Sequence, residues 1–393
     1  MKNFSKLVLL VATLAVSIVF TGCGGSGEKA APKAVANEIK IGLSGEITGN
    51  SANFGISTLN GAKLAVKQIN ETGGVLGKQI VLIPGDNKSE PSEAANIMTK
   101  LITQDKVVAV VGNFTSSCAI SASNVAEANK IPYVSNGATN PRLTVDNNGK
   151  TKKYIFRACF IDPFQGTVGA NFVTNTLKLK KGIIFIDNSS DYAKGLAEFF
   201  KASFIKGGGE ILAEEGYLQK DQDFKTILTK VKALSFEFIY IPGYYEEVGK
   251  IVKQARELGM DMPIIGGDGW DSAKLAEIAG GVALNNTYFT NHYSPEDSSP
   301  ESKAYVAAFQ KEYQMLPDGQ SVLGYDAVKL VIDAIKRANS TDPEKIRDAI
   351  EATKNFSGAS GVLTINETHD STKSVVIIEM KDGKQVYKET IKP

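Results

Sequence analysis

The sequence predicts an α/β fold with parallel central sheets, shared between two domains. Short apolar runs such as 107–111 are typical of strands buried on both faces, and helical patterns repeatedly follow them. This alternation implies right-handed βαβ crossovers and therefore parallel strand pairing. The ~350 residues from Ile39 onward exceed one typical hydrophobic core, which favours two domains.

The first segment of the chain has the pattern of a signal peptide. Lys2 and Lys6 precede an apolar run of roughly fourteen residues, too short to span a bilayer comfortably. The run ends FTGC, which resembles the lipobox of bacterial lipoproteins with Cys23 as the lipidated first residue. We expect a signal peptide over 1–22, a flexible tether over 23–38 and a lipid anchor of the palmitate type at Cys23. The alternative is an ordinary secretory signal.

From Ile39 onward, predicted strands and helices alternate. The predicted strands cover 39–43, 80–83, 107–111, 132–135, 182–186, 211–214, 238–241 and 263–265. Predicted helices cover 92–103, 192–205 and 224–234, and apolar stripes indicate three more around 59–69, 248–258 and 327–335. Alternation over 373–391, around the Asp382 and Gly383 turn, predicts a terminal hairpin.

Two of the predicted strands end at loops rich in small hydroxyl residues. Thr115, Ser116 and Ser117 are candidate N-caps of the helix that follows one strand, and the loop 136–141 follows the next. In open α/β sheets, ligands bind at the carboxyl ends of the strands. Helix N–H groups beside the Ser116 and Thr139 hydroxyls suit a carboxylate, whereas no phosphate-loop motif is present. The alternative is that these residues only cap a helix and a turn.

An acidic loop, GGDGWD, follows the predicted strand 263–265. Asp271 is the better candidate N-cap for the next helix, which leaves Asp268 at a strand's carboxyl end without a capping role. Asp268 is therefore a candidate ligand group. The alternative is a solvated turn aspartate.

Composition excludes several classes of function. The net charge of +1 gives no reason to expect nucleic-acid binding, and no helix-turn-helix pattern occurs. Cys118 and Cys159 have no zinc or disulfide spacing, and we expect both to be buried small apolar residues. With His292 and His369 as the only histidines, nucleophile–base pairs are scarce. We expect no enzyme activity, no cofactor and no metal.

Several motifs together resemble one family. FGISTLNGAKLAVKQINETGGVLGKQI, GNFTSS, NGATNP and GYYEEVGKIVKQARELGM followed by GGDGW resemble the type I periplasmic binding proteins of branched-chain amino-acid ABC transporters, the leucine/isoleucine/valine-binding group. The resemblance implies two Rossmann-like lobes joined by a three-segment hinge near Arg157, Asn291 and Gly361. The implied lobes are 39–157 plus 291–361 and 158–290 plus 362–393.

The resemblance also implies a ligand site between the lobes. Ser116 and Thr139 would hold the ligand's α-carboxylate, helped by backbone groups near Phe114 and Gly137, and Asp268 would hold the α-ammonium. Tyr192 and Tyr244 would be pocket residues of the second lobe, and the wall for the ligand's side chain would include Phe54 and Trp270. The complete expected set is Phe54, Phe114, Ser116, Gly137, Ala138, Thr139, Tyr192, Tyr244, Asp268 and Trp270.

The expected protein is a monomeric lipoprotein on the extracytoplasmic side of the cell membrane, in a periplasm or at the cell surface. It would capture an aliphatic L-amino acid, close around it because only the closed state contacts both charged groups, and deliver it to an ABC permease. An alternative is a receptor for another small carboxylate or amide that feeds a sensor. A permease and an ATPase encoded beside this gene would favour transport.

Overall fold

The computed structural model describes residues 38–294, 296 and 299–393; the expected signal peptide, most of the tether and Cys23 lie outside the described residues. The strands are β1 (Glu38–Gly45), β2 (Gln79–Asp86), β3 (Ala109–Gly112), β4 (Tyr133–Ser135), β5 (Ile155–Arg157), β6 (Lys181–Asp187), β7 (Glu210–Tyr217), β8 (Phe238–Ile241), β9 (Ile264–Gly266), β10 (Thr287–Asn291), β11 (Phe356–Gly358), β12 (Gly361–Ile365), β13 (Ser371–Thr372), β14 (Val375–Lys381) and β15 (Lys384–Ile391). The α-helices are α1 (Ala52–Glu71), α2 (Pro91–Thr103), α3 (Ser116–Ala128), α4 (Asp162–Asn171), α5 (Asp191–Lys206), α6 (Lys225–Lys232), α7 (Tyr245–Glu257), α8 (Ala273–Ala279), α9 (Pro300–Tyr313), α10 (Gly319–Ala338) and α11 (Pro343–Glu351).

Two separate central sheets organise these elements. The first sheet has the order β2-β1-β3-β4-β5, and all its pairs are parallel. The second has the order β15-β14-β10-β9-β8-β6-β7, parallel except for the antiparallel pairs β10–β14 and β14–β15. We call the parts of the chain built around them the first and second lobes. The predicted α/β fold with parallel sheets and a terminal hairpin is confirmed.

The chain passes between the two sheets three times. After Arg157 it leaves the first sheet for α4 and β6, and after Asn291 it leaves β10 for α9 and α10, which pack in the first core. Between Thr372 and Val375 it returns to the second sheet. The small antiparallel sheet β11-β12-β13 precedes this last passage.

Helix α10 is the most buried helix of the first lobe and carries the predicted apolar stripe. It lies unusually close to α1: a Cβ at Gly61 would sit 1.8 Å from the Ser321 carbonyl oxygen, and one at Gly324 would sit 2.4 Å from that of Thr58. Only glycine permits both approaches, so these two residues determine how closely the helices pack. Cys118 and Cys159 are buried and unpaired, as predicted.

Candidate functional site

The two hydroxyl-rich loops of the first lobe meet at the carboxyl end of the first sheet. The Ser135 hydroxyl donates to the Asn113 carbonyl oxygen at 2.9 Å and accepts the Ala138 N–H at 3.0 Å. The Asn140 N–H approaches the Ser116 hydroxyl at 3.4 Å. Adjacent parallel strands end at the same edge of a sheet, so the two loops lie side by side. These hydrogen bonds then hold the loops together.

Two buried hydroxyls of this edge are available to a ligand. Ser116 is the first residue of α3, where the helix presents N–H groups that lack an intrahelical partner. The Thr139 hydroxyl is completely buried and has no hydrogen-bond partner among the described residues. Burying a hydroxyl without a hydrogen bond costs free energy. The Thr139 hydroxyl is therefore a candidate to bind a polar group of a ligand.

Glu46 occupies part of the predicted carboxylate site. Its carboxyl accepts the N–H groups of Phe114 and Thr115 at 3.2 and 3.3 Å and the Thr115 hydroxyl at 2.8 Å. Burial raises the pKa of Glu46, and the Thr115 hydroxyl and these backbone N–H groups lower it in part. Thr115 is the N-cap residue of α3, as predicted, but its side chain makes no capping hydrogen bond because its hydroxyl is bound to Glu46. Glu46 also takes the Phe114 N–H, so neither this N–H nor the Thr115 hydroxyl is available to a ligand. The candidate hydroxyls for a ligand's carboxylate are therefore those of Ser116 and Thr139.

Asp268 lies at the carboxyl end of β9 in the second lobe and is 1% exposed, so it is not a solvated turn residue. Its Oδ1 accepts from Gln165 Nε2 at 2.7 Å and from the Tyr192 hydroxyl at 2.9 Å. Its Oδ2 lies 3.0 Å from His292 Nε2. A carboxylate offers about four acceptor positions, so one on Oδ2 remains for a ligand.

His292 supports this acid as a neutral group. Its ring stacks on Phe160 with centroids 3.6 Å apart, and its Nδ1 is buried without a partner in the described structure. Burial lowers the His292 pKa, while the hydrogen bond to Asp268 raises it in part. A protonated ring would bury a second N–H with nothing to accept it, which favours the tautomer that donates from Nε2. The charge of Asp268 therefore remains for an external cation.

Asp271 does not cap α8. Ser272 does so, accepting the Lys274 N–H at 3.1 Å, and the predicted capping role of Asp271 is wrong. Instead, Asp271 accepts the Gly319 N–H at 2.7 Å and also binds Asn291 and Gln385. Because Gly319 begins α10, this buried carboxylate joins the second lobe to the first.

Four predicted aromatic residues meet between the lobes. The ring of Phe54 lies 4.4 Å from that of Phe114 and 5.7 Å from that of Tyr244, centroid to centroid, and Tyr244 stacks on Tyr192 at 5.2 Å. Gly137 is required here, since a Cβ would sit 2.1 Å from the Phe114 ring. The cluster gives the site an apolar wall made by both lobes.

Trp270, the other aromatic residue of the predicted wall, packs on β9 and Phe289. Its indole N–H donates to the Ile241 carbonyl oxygen at 3.0 Å, and its ring faces Phe289 at 6.2 Å. A Cβ at Gly266 would sit 2.1 Å from the indole, so the ring packs directly on β9. Tyr245, which the sequence did not single out, contacts Phe54 at 4.9 Å instead.

Direct hydrogen bonds close the cleft on one side. Asp191, at the start of α5, contacts three first-lobe residues: its carboxylate accepts from the Ser117 hydroxyl at 3.1 Å and pairs with Arg142 at 3.3 Å, and its carbonyl oxygen accepts from Asn140 at 2.8 Å. Arg142 remains 56% exposed, as expected of a surface residue, but its charge is directed at the second lobe.

A second set of bonds closes the opposite side. Asn50 Nδ2 donates to Glu247 Oε1 at 3.0 Å, and the Tyr245 hydroxyl donates to the Asn50 carbonyl oxygen at 3.2 Å. Asn53 accepts the Ser272 hydroxyl at 2.6 Å. With contacts on both sides and aromatic rings between them, the two lobes are closed over the site.

The described ranges contain neither a candidate metal cluster nor a membrane-spanning helix. No group of three or more His, Cys, Asp or Glu side chains there is arranged to hold a metal ion. None of the helices described is long and apolar enough to cross a membrane.

Comparisons with known proteins extend over nearly all of the described chain. A family model for periplasmic binding proteins matches residues 38–385. The Leu/Ile/Val-binding protein BraC3 of Rhizobium johnstonii is 33% identical over 385 residues, covering 98% of this chain and 100% of that protein. The crystal structure of the leucine binding protein LivK from Thermotoga maritima is 38% identical with a TM-score of 0.86, covering 90% of this chain and 99% of that one. The branched-chain amino acid transporter substrate binding protein LivJ from Streptococcus pneumoniae, in complex with isoleucine, is 40% identical with a TM-score of 0.85, covering 91% and 100%.

Proposed function

Because this chain belongs to the family of periplasmic binding proteins, we propose that it captures an aliphatic, branched-chain type L-amino acid between its lobes and delivers it to an ABC permease. As a family member it is an extracytoplasmic solute-binding protein. The observation that carries the proposal is the division of the site: neutral hydroxyls lie on the first lobe and a buried acid lies on the second.

This division matches an amino-acid zwitterion. The hydroxyls of Ser116 and Thr139, beside the N-terminus of α3, suit the α-carboxylate. Asp268 retains one acceptor position and an uncompensated charge, which suit the α-ammonium. A ligand held by both lobes stabilises only the closed state, which couples binding to closure. We propose no catalytic role for any of these residues.

The lobes of this proposal are 39–157 plus 291–361 and 158–290 plus 362–393. Leu363 and Ile365 pack in the core of the first lobe, which favours extending that lobe to Thr372. His292, which contacts Asp268, directly follows β10 on the second passage between the lobes. The hinge would therefore lie beside the ligand site.

The ligand's side chain should be apolar. Phe54, Phe114 and Tyr244 form the candidate wall. The two arginines bonded to the site's loops are engaged elsewhere, Arg142 with Asp191 and Arg157 with Asp370. A second ligand carboxylate would therefore be buried without a cationic partner, at a cost of several kcal/mol, whereas one methylene changes binding by only about 1–3 kcal/mol.

Thermal-shift measurements across the twenty L-amino acids, after refolding to remove bound ligand, test this proposal. We expect leucine, isoleucine, valine or alanine to stabilise the protein most, and the D-enantiomers of the best ligands to be weaker. If glutamate or lysine raises the melting temperature more than every aliphatic amino acid does, the pocket assignment is wrong. Stabilisation by a carboxylate without an amino group, equal to that by leucine, would favour the alternative receptor for another small carboxylate.

We also propose that Cys23 anchors the protein to the membrane. The support is the short apolar run that ends FTGC. Attached acyl chains contribute about 0.8 kcal/mol per buried methylene, and two or more give stable attachment. We expect cells fed a radioactive fatty acid to label the wild-type protein and not Cys23→Ala. Equal labelling of the two forms would contradict the anchor; Cys118→Ala is the matched control and should label normally.

A further inference from the structure

A second buried acid, Asp162, lies beside the Thr139 loop. Asp162 is the first residue of α4 and is completely buried. Neither of its carboxyl oxygens makes a hydrogen bond within the described part of the chain. A buried carboxylate in this condition is strongly disfavoured, because it has lost its hydration and gained no donor.

The position of Asp162 is between the lobes. Its N–H donates to the Thr139 carbonyl oxygen at 3.0 Å. A Cβ at Gly195, on α5, would sit 2.7 Å from Asn140 Nδ2 and 3.4 Å from Asp162 Oδ2. Asp162 thus lies where the first-lobe loop meets the second lobe, beside the Thr139 hydroxyl that also lacks a partner. That hydroxyl is near enough to lower the Asp162 pKa, although the two side chains do not meet in hydrogen-bond geometry.

Burial raises the pKa of Asp162 to about 8 in this closed conformation. The charged and titratable groups that face it are Arg157, Asp268, Tyr192 and Tyr240. Asp268 raises the pKa further, and Arg157 lowers it only in part. The Arg157 guanidinium is already bound to Asp370 at 2.7 Å and to the Ala138 and Asn140 carbonyl oxygens.

We propose that Asp162 is a second ligand-binding acid, which receives the ammonium group of the ligand together with Asp268 and opposes closure of the cleft while it is empty. This inference rests on the proposed function. An ammonium has three N–H donors; Asp268 has one acceptor position left, and neither Asp162 oxygen makes a hydrogen bond within the described residues. In the closed, empty protein the buried Asp162 carboxylate would have to bind a proton. When a ligand is bound, the positive charge of its ammonium group takes the place of that proton.

The direction of the pH dependence follows from this assignment. Burial in the closed, empty cleft raises the pKa of Asp162 from its ordinary value of 3.8 to about 8, and on this proposal opening returns the pKa towards its ordinary value because water reaches the carboxyl. Between these values closure of the empty protein takes up a proton, so each unit of rising pH makes closure about 10-fold less favourable. Closure around an amino acid takes up no proton at Asp162, because the ammonium keeps the carboxylate ionised.

Asp162→Asn tests the proposal, since it keeps the shape and removes the charge. Small-angle scattering of ligand-stripped protein at pH 5.5 and 7.5 should show the wild type with the larger radius of gyration at pH 7.5. The variant should be compact at both values. Other acids at the cleft and hinge also titrate, including Glu46, Glu247, Asp271 and Asp318. The difference between variant and wild type isolates Asp162, and Asp162→Ser supplies a second neutral form if the first folds poorly.

Binding measurements supply an independent readout. Calorimetry should give the ratio of L-leucine affinity to 4-methylpentanoate affinity, the latter being the same molecule without its amino group. We expect Asp162→Asn to lower this ratio at least about 30-fold, whereas Asp342→Asn, a change in a helix cap far from the site, should leave it unchanged. An unchanged ratio together with wild-type pH dependence of the scattering overturns the proposal. If the wild type binds no amino acid, the proposed function fails, and the scattering alone still decides whether Asp162 opposes closure.

Discussion

Asp268→Ala is expected to weaken amino-acid binding by about 30-fold to several thousand-fold. The variant leaves the ligand's ammonium desolvated in the closed cleft without its principal counter-charge, which typically costs about 2–5 kcal/mol. Tyr192 and Gln165 also lose their shared acceptor, so some folding stability will be lost, at about 1–3 kcal/mol for each unsatisfied buried donor.

Asp268→Asn separates charge from shape. Asparagine retains an oxygen that accepts from Gln165 and Tyr192, yet it carries no charge, so we expect it to recover stability and little affinity. Calorimetric titration of stripped protein measures the affinity, and Asp261→Ala, on the exposed surface of the second lobe, is the matched control. A change of less than about threefold in Asp268→Ala would falsify the ammonium role.

Arg157→Met is expected to lower the free energy of unfolding by about 3–5 kcal/mol, because it leaves the carboxylate of Asp370 buried without its cation. The Ala138 and Asn140 carbonyl oxygens lose their donors as well. Since these residues flank Thr139, the change should also loosen the loop that holds the ligand's carboxylate.

Urea denaturation of ligand-free protein measures this effect. Arg142→Met is the matched control, because its ion pair with Asp191 is largely exposed and should contribute at most about 1 kcal/mol. The double variant Arg157→Met, Asp370→Asn should regain part of the lost stability, since it removes the unpaired charge. Equal small losses in Arg157→Met and Arg142→Met would show that the buried pair does not hold the loop.

The positions of Ser116, Thr139 and Asp268 were predictable because they depend on local pattern. Each follows a short apolar run, and the carboxyl end of a buried parallel strand is a position that sequence marks well. Glu46, Gln165, His292 and Asp162 gave no such signal. They come from a Gly-rich turn, the interior of a helix, a hinge passage and a helix start, and only folding brings them to the site.

The helix cap at α8 and the packing of Trp270 also depended on residues distant in sequence, which local patterns do not predict. Asp271 and Ser272 are both good helix caps, and the choice between them depended on Gly319, which lies far along the chain and needs an acceptor. Trp270 lies two residues after Asp268 and was expected in the ligand pocket. Because Gly266 has no side chain, the indole packs against it instead and lies in the core of the second lobe. Neighbours distant in sequence decided both outcomes.

The sequence by itself determined the alternation of strands and helices, the edges of the sheets where the loops gather, and the apolar stripes that bury α10. These properties follow from the period of apolar residues and from turn chemistry, which act over a few residues. The tertiary structure alone decided which donors bind Asp268, which buried acid remains without a hydrogen bond and how the lobes meet at Asp191. Those outcomes depend on distances and desolvation between segments that lie more than a hundred residues apart in some pairs, such as Gln165 and Asp268, and local patterns carry no information about them.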